Sequence, residues 1–500
     1  MMVDGHMSIE VLPNDVLLRI FSCHRSLHQK CRYHYTDPRL PLSVTWKWHR
    51  LAHVCRRWRY LIFASPHHLG LRLAITHTPS SKPRMPVSDL WPVLPISIWS
   101  GVCPWWRLFP KQEDEVVSAL KHPDRIHEIK LIMSDSMLEK SATLMEASFP
   151  ALESLHLSSP HGDLMVLPDA FLGASTPSTT PRRLLHIELD NIYFPTLPHL
   201  LLSSRDLTSL SLRSNTVMGS AFLSPEAIIS ALCAASQLKS LSLYLRDKPK
   251  DVPGSIHLLS PNHLHLPALN KFCFNGSRDY LEDFVSRIHA PLLEQLEVFV
   301  AWQDVVDFPQ LSHFIHRTEQ LSSLPHLTFI RLKQRGIQIV HCFRHMPSCQ
   351  KIVRLQLDIF LDWQVSQVHH VCQQLSPLMS KVEQLVVAAN RSLEMLQDKI
   401  KPELYLRLLQ PFHCVQELEL YTLEEEGTKI LHALEQSTRQ GVQEVLPALH
   451  SLWLPNFETR AWSVLNDFIS FRQLTGRQVT VHRSGSLPCF EEFRSQISLG

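Results

Sequence analysis

Apolar residues recur along most of this chain in one spacing: an apolar position, two residues, a second, one residue, a third. Ile126-Ile129-Leu131 and Leu152-Leu155-Leu157 are the first cases, and Leu449-Leu452-Leu454 is the twelfth. Starts lie 23 to 34 residues apart. The last two apolar positions flank one other residue, as in Leu241-Ser242-Leu243, and such alternation predicts a half-buried strand. Helix-like patterns lie between: Glu226–Ala235, Leu281–His289, Val365–Leu375, Leu404–Leu409 and a helix beginning at Leu431. Pro150, Pro267, Pro291, Pro325 and Pro447 precede strands, where proline stops a helix and leaves the ladder intact. One such unit cannot bury both its strand and its helix, and stacked units can. Residues 111–485 are therefore expected to form an irregular α/β solenoid with parallel strands.

The chain before residue 111 has a different pattern. Val16, Leu17, Ile20 and Phe21 share a helical face behind Pro13, a residue suited to a first turn. A second helix is predicted from about Trp46 to Ile62, with Leu51, Val54, Cys55, Trp58, Leu61 and Ile62 on its apolar face. Ser22–Thr45 lacks clear periodicity and reads as an extended connection or insertion. Residues 66–110 hold a strand candidate at Leu69–Ile75 and then a bend rich in Pro and Trp. They read as a bridge into the repeats, and residues 486–500 as a terminal cap or tail. Helices this short bury little area alone, and a leftover apolar surface favours a partner.

Leu12-Pro13-x-x-Val16-Leu17-Leu18-x-Ile20-Phe21, followed by Leu51-x-x-Val54-Cys55-Arg56-Arg57-Trp58-Arg59, resembles an F-box. That resemblance implies a three-helix module over residues 8–65 that binds the Skp-type adaptor of a cullin-RING ubiquitin ligase. Leu12, Pro13, Leu17, Ile20, Phe21, Val54 and Cys55 would contact the adaptor or divide between contact and core, and Trp58 would pack the module. Leu71-Arg72-Leu73 with Leu90-Trp91-Pro92-x-Leu94-Pro95-Ile96-x-Ile98 is similar to the segment that follows the F-box in many mushroom-type fungal F-box proteins. The repeats resemble irregular leucine-rich repeats of the kind found behind F-boxes. The implied function is substrate recognition within an SCF-type ligase. The alternative is a leucine-rich-repeat scaffold that works without a ligase.

Composition narrows the partners and the chemistry. There are 49 Lys and Arg against 47 Asp and Glu, for a net charge of +2, so no field favours nucleic acid or an anionic membrane. Fourteen glycines among 500 residues argue against glycine-rich nucleotide loops. Eleven dispersed cysteines, with no signal-like N-terminus and no long apolar run, suit a reducing cytoplasmic or nuclear setting without a membrane span. Cys23, His24, His28, Cys31 and His34 cluster, but their spacing fits no zinc pattern. Glu424-Glu425-Glu426 reads as a solvated turn. No cofactor, metal or catalytic group is expected. The target-binding candidates sit between inward apolar residues on the strands: His156, Glu188, Ser211, Ser242, Glu297, Arg331, Gln356, Glu419 and Trp453. They should point outward, toward an unidentified protein substrate.

Overall fold

The computed structural model describes residues 11–29, 51–65, 73–76, 94–100, 116–159, 165–173, 183–193, 197–214, 224–245, 263–300, 307–322, 327–333, 336–343, 352–359, 370, 373–374, 376–389, 402–421, 424–439, 445–455 and 462–482. The chain divides into two compact units, Met1–Thr216 and Val217–Gly500. Both are mixed α/β, and most of their strands are parallel.

The first unit opens with helices α1 (Asn14–Gln29) and α2 (Arg56–Ala64). Helix α1 continues through Cys23 to Gln29, so the expected connection begins later than Ser22. The second predicted helix is broken. Residues 51–52 are helical, His53 and Val54 turn, and α2 restarts behind Cys55. The Cys55 thiol accepts from the Trp58 amide at 3.4 Å, which gives the new helix its cap.

Strands β1 (Leu73–Thr76), β2 (Ile96–Ser100), β3 (Ile126–Ile132), β4 (Ser154–Ser158), β6 (His186–Asp190) and β8 (Ser209–Ser214) follow in parallel order. Short strands β5 (Met165–Val166) and β7 (Ile192–Tyr193) pair beside them. Part of the supposed bridge is thus sheet: Ile96 and Ile98 alternate into the core as the later leucines do. Helices α3 (Asp135–Leu144) and α4 (Leu197–Ser203) lie within two of the crossovers, as parallel strands require. Two rows of side chains fill the interior, Ile98–Ile129–Leu155–Ile187–Leu210 and Leu131–Leu157–Leu189–Leu212. All are buried, each worth about 1.5–3 kcal/mol. The segment after Ser158 also contributes core, through Met165, Leu167, Phe171 and Leu172.

The second unit runs through α5 (Pro225–Leu232), β9 (Ser240–Leu245), β10 (Leu264–His265), β11 (Lys271–Gly276), α6 (Arg278–Ser286), β12 (Ile288–His289) and β13 (Gln295–Val300). Ser224 caps α5 by accepting from the Ala227 amide. Helix α6 packs on β11 through Tyr280 and Phe284 against Phe274 and Phe272. It ends three residues before the predicted His289, because Ile288 and His289 pair with β10 instead. Helices α7 (Pro309–Arg317) and α8 (Glu319–Ser322) follow. Glu282 on α6 accepts from the Gln310 and Leu311 amides at the start of α7.

Here the order changes. Strands β14 (Leu327–Lys333), β15 (Gly336–Phe343) and β16 (Ile352–Ile359) enter the sheet in reverse, giving β13-β16-β15-β14-β17, and β15 is antiparallel to both neighbours. The all-parallel expectation fails at this point because Lys333 pairs with Gly336, closing a hairpin. Parallel stacking resumes with α9 (Ser376–Met379), β17 (Gln384–Ala389), α10 (Pro402–Leu409), β18 (Glu417–Tyr421), α11 (Glu424–Arg439), β19 (Ser451–Trp453), α12 (Trp462–Leu474) and β20 (Thr480–His482). The three glutamates expected in a turn open α11, where the helix dipole favours acidic residues.

One backbone device recurs in both units. A single carbonyl accepts the two amides that lead the next repeat: Glu153 O from Leu185 and His186, Leu185 O from Thr208 and Ser209, Asn270 O from Glu294 and Gln295, and Glu383 O from Gln416 and Glu417. Each acceptor directly follows the first apolar residue of its spacing motif. That residue is buried (Leu152, Leu184, Leu269, Val382), which holds the carbonyl at a fixed height for the following strand.

Candidate functional site

The helical pair divides the residues of its motif by angle. Leu17 and Phe21, one turn apart, point into the module, and Phe21 meets Trp58 edge to face at a centroid distance of 4.8 Å. Leu61, Ile62 and Ala52 complete this small core. Arg57 ties α2 back to the start of α1, donating to Leu12 O at 2.6 Å and to Asn14 Oδ1 at 2.7 Å. Arg59 donates to Ala52 O. Round α1, about 60° from Leu17 and about 100° from Phe21, the surface is different: Ile20 is 40% exposed, and Pro13 is exposed too. Val54, on the turn before α2, is 59% exposed, and Tyr60 lies open on α2. Leu12 and Cys55 are half-buried. Leu17 (0% exposed) and Phe21 are therefore core residues here, and as surface-contact candidates they give way to Pro13, Ile20 and Val54. Tyr60 was missed by sequence reading; its position two residues after Trp58 in α2, on the side away from the apolar stripe, was the available signal.

On the strand face of the first unit, register aligns Trp99, Lys130, His156, Glu188 and Ser211 in one row. His156 Nδ1 lies 2.8 Å from Glu188 Oε2. That hydrogen bond holds the Glu188 carboxyl below its usual range, against the opposing effect of partial burial. One step along, Ser158 donates to Asp190 at 3.2 Å, and Arg213 stands 3.9 Å from the same carboxylate. The predicted trio His156, Glu188 and Ser211 is thus a contiguous polar row in which His156 and Glu188 already engage one another.

The second unit has a corresponding row: Ser242, Cys273, Glu297, Gln356, Val340, Phe329, Val386, Glu419, Trp453 and His482. Ser242, Glu297, Gln356, Glu419 and Trp453 share it. Arg331 does not; it stands two residues further along β14, paired with Gln338 and Ala388. The hairpin sets this register and places Phe329 where the spacing put Arg331. For Arg331 and Gln356, strand position and register are described, and the side chains lie outside the described residues. Glu297 forms an ion pair with Lys271 at 3.1 Å. Burial, followed by the neighbouring Glu297, pushes the Cys273 thiol up to about 11, so it stays protonated and unreactive at neutral pH. Glu419 departs from expectation. It is 0% exposed, as is Val386 beside it, so this stretch of the row is covered rather than presented. Trp453 is half-buried and stacks on His482 with ring centroids 4.0 Å apart.

Among the described residues no group of three or more His, Cys, Asp or Glu is arranged to hold a metal ion, and no helix is long and apolar enough to cross a membrane. Of the Cys23–His34 cluster, residues beyond Gln29 lie outside the described residues. No protein-family model matches the chain, and no curated protein matches it.

Proposed function

We propose that this chain is the substrate-receptor subunit of an SCF-type cullin-RING ubiquitin ligase, with the α1–α2 module as the adaptor handle and the strand-rich repeats as the target-binding region. The observation that carries this reading is the pairing of a closed core, Leu17–Phe21–Trp58, with uncovered apolar residues at Pro13, Ile20 and Val54. Apolar area left out of a small module's own core favours a lasting partner. The resemblance of the two motif halves to an F-box names that partner as a Skp-type adaptor. In this role the chain performs no bond chemistry. It holds a target protein near a ubiquitin-charged enzyme, and the gain is one of proximity. The first-unit row with His156, Glu188 and Ser211 and the Ser242–Glu297 part of the second-unit row are the target-facing candidates.

The test uses the full chain with a purified Skp-type adaptor. Capture should be lost in an Ile20→Asp, Val54→Asp variant whose amide-exchange protection in α1 and α2 matches wild type. Undiminished capture by that variant would overturn the proposed interface. Failure of the folded wild-type chain to capture adaptor or cullin would favour the ligase-independent scaffold.

A further inference from the structure

Strands β10 and β12 lie outside the main sheet and present one histidine each, His265 and His289, paired in register. Both side chains are exposed. Their Nδ1 atoms are 2.9 Å apart. The ring planes differ by 16° and the centroids are 5.0 Å apart, so the rings meet through their Nδ1 edges rather than face to face. A contact this short between two ring nitrogens requires one to donate and the other to accept, which doubly protonated imidazoles cannot do. At least one ring is neutral whenever the contact exists. Arg317 of α7 reinforces this. Its guanidinium donates to the Val285 and Ile288 carbonyls, which fixes a positive charge beside His289.

We propose that His265 and His289 form a bidentate site for a divalent transition metal of the zinc class. Two nitrogens bound to one tetrahedral zinc at about 2.0–2.1 Å stand about 3.3–3.4 Å apart. To reach that spacing the nitrogens must part by about 0.4 Å and each ring must turn by about 35°, bringing its lone pair off the Nδ1–Nδ1 line and onto the ion. The ion takes the place of the shared hydrogen: both rings adopt the tautomer with hydrogen on Nε2, and both Nδ1 lone pairs turn to the metal, with no net proton lost when both rings start neutral. Imidazole suits zinc, copper and nickel and not magnesium. The pair is solvent-facing and supplies two ligands, leaving the other positions to water or to a donor from another molecule. Chelation also clamps the strands, whose backbone bonds are Leu264 N to Arg287 O at 2.8 Å and Leu266 N to His289 O at 2.9 Å.

Those two amides provide a local readout in the full chain. Zinc at about 100 times its dissociation constant should slow hydrogen exchange at Leu264 and Leu266 by up to about 100-fold, and magnesium should not. The slowing should vanish in His289→Ala and in His265→Asn, and persist in His263→Ala, two residues away. Metal-free exchange in each variant separates loss of the site from loss of the strand pair. Unchanged exchange in wild type with zinc would overturn the proposal, as would equal slowing in His289→Ala, which would put the ion on other histidines.

Discussion

The helical pair and the strand face of the first unit keep opposite kinds of residue on the outside. Around α1 and α2 two arginines are used internally, Arg57 on Leu12 and Asn14 and Arg59 on Ala52, while Ile20, Val54 and Tyr60 stay open. Along β3, β4, β6 and β8 the two paired rows of leucine and isoleucine are inside, and the outer row holds groups that already satisfy one another, such as His156 with Glu188. Exposed apolar area contributes binding energy on whatever surface covers it. A row of paired charges contributes little net energy, because its pairs must be broken or matched, but it discriminates between partners. The first surface suits permanent attachment and the second suits selection.

The sharpest way to break this contrast is to put a charge on each side of α1. Leu17→Asp places a carboxylate among Phe21, Trp58 and Ile62 and should cost the module about 3–5 kcal/mol, read as lost amide protection across both helices. Ile20→Asp, one turn on, should change stability by no more than about 0.5 kcal/mol. Equal effects would erase the distinction between core and surface. The repeat stack is expected to resist additions rather than charges. At Gly276 an added Cβ would lie 2.6 Å from Leu245 O and 2.9 Å from the Phe274 ring, so Gly276→Ala should lower stability by about 1–3 kcal/mol in urea titration. A smaller change in the opposite direction is expected at the cap of α2. Cys55→Ser replaces a weak sulfur acceptor with a hydroxyl and should stabilise the module by about 0.5–1 kcal/mol, provided the half-buried site accepts the shorter bond.

The smallest effect concerns the paired charges. Glu188 titrates below its ordinary value of 4.5 in the folded chain. Its contribution is therefore complete above about pH 4.5 and is lost as pH falls through the folded value. With the carboxylate half exposed, the loss should stay under about 1 kcal/mol. His156→Ala should flatten that acid-side slope in the unfolding midpoint, and an unchanged slope would show that the pair contributes nothing to stability.

Much of the strand framework was legible in the sequence. Each of the twelve spaced motifs feeds a strand, because a two-residue period is a direct consequence of which side chains face the core. What escaped has physical causes. Ile96-x-Ile98 was hidden by the prolines and tryptophans around it. The Ile337–Ile339 alternation of β15 lacks the leading apolar residue. Strand order is not encoded in local period at all: the reversal of β14–β16 follows from a hairpin closure between Lys333 and Gly336. Burial of Glu419 was likewise invisible, since alternation says which face a residue takes and not whether that face is covered. In the helical pair, the pattern gave the set of apolar residues but not the angular division between Leu17 and Ile20.

The forked carbonyl bonds also set a direction for assembly on the ribosome. Each acceptor belongs to the repeat synthesised before its two donors, so a new strand such as β6 or β13 meets a finished dock as it emerges. Strand β14 does not. Its neighbours are β15 and β17, and only β16 joins that group to β13. Residues from Leu327 to Ile359 must therefore all be made before any of the three strands can join β13, which places one wait for translation in an otherwise strand-by-strand sequence.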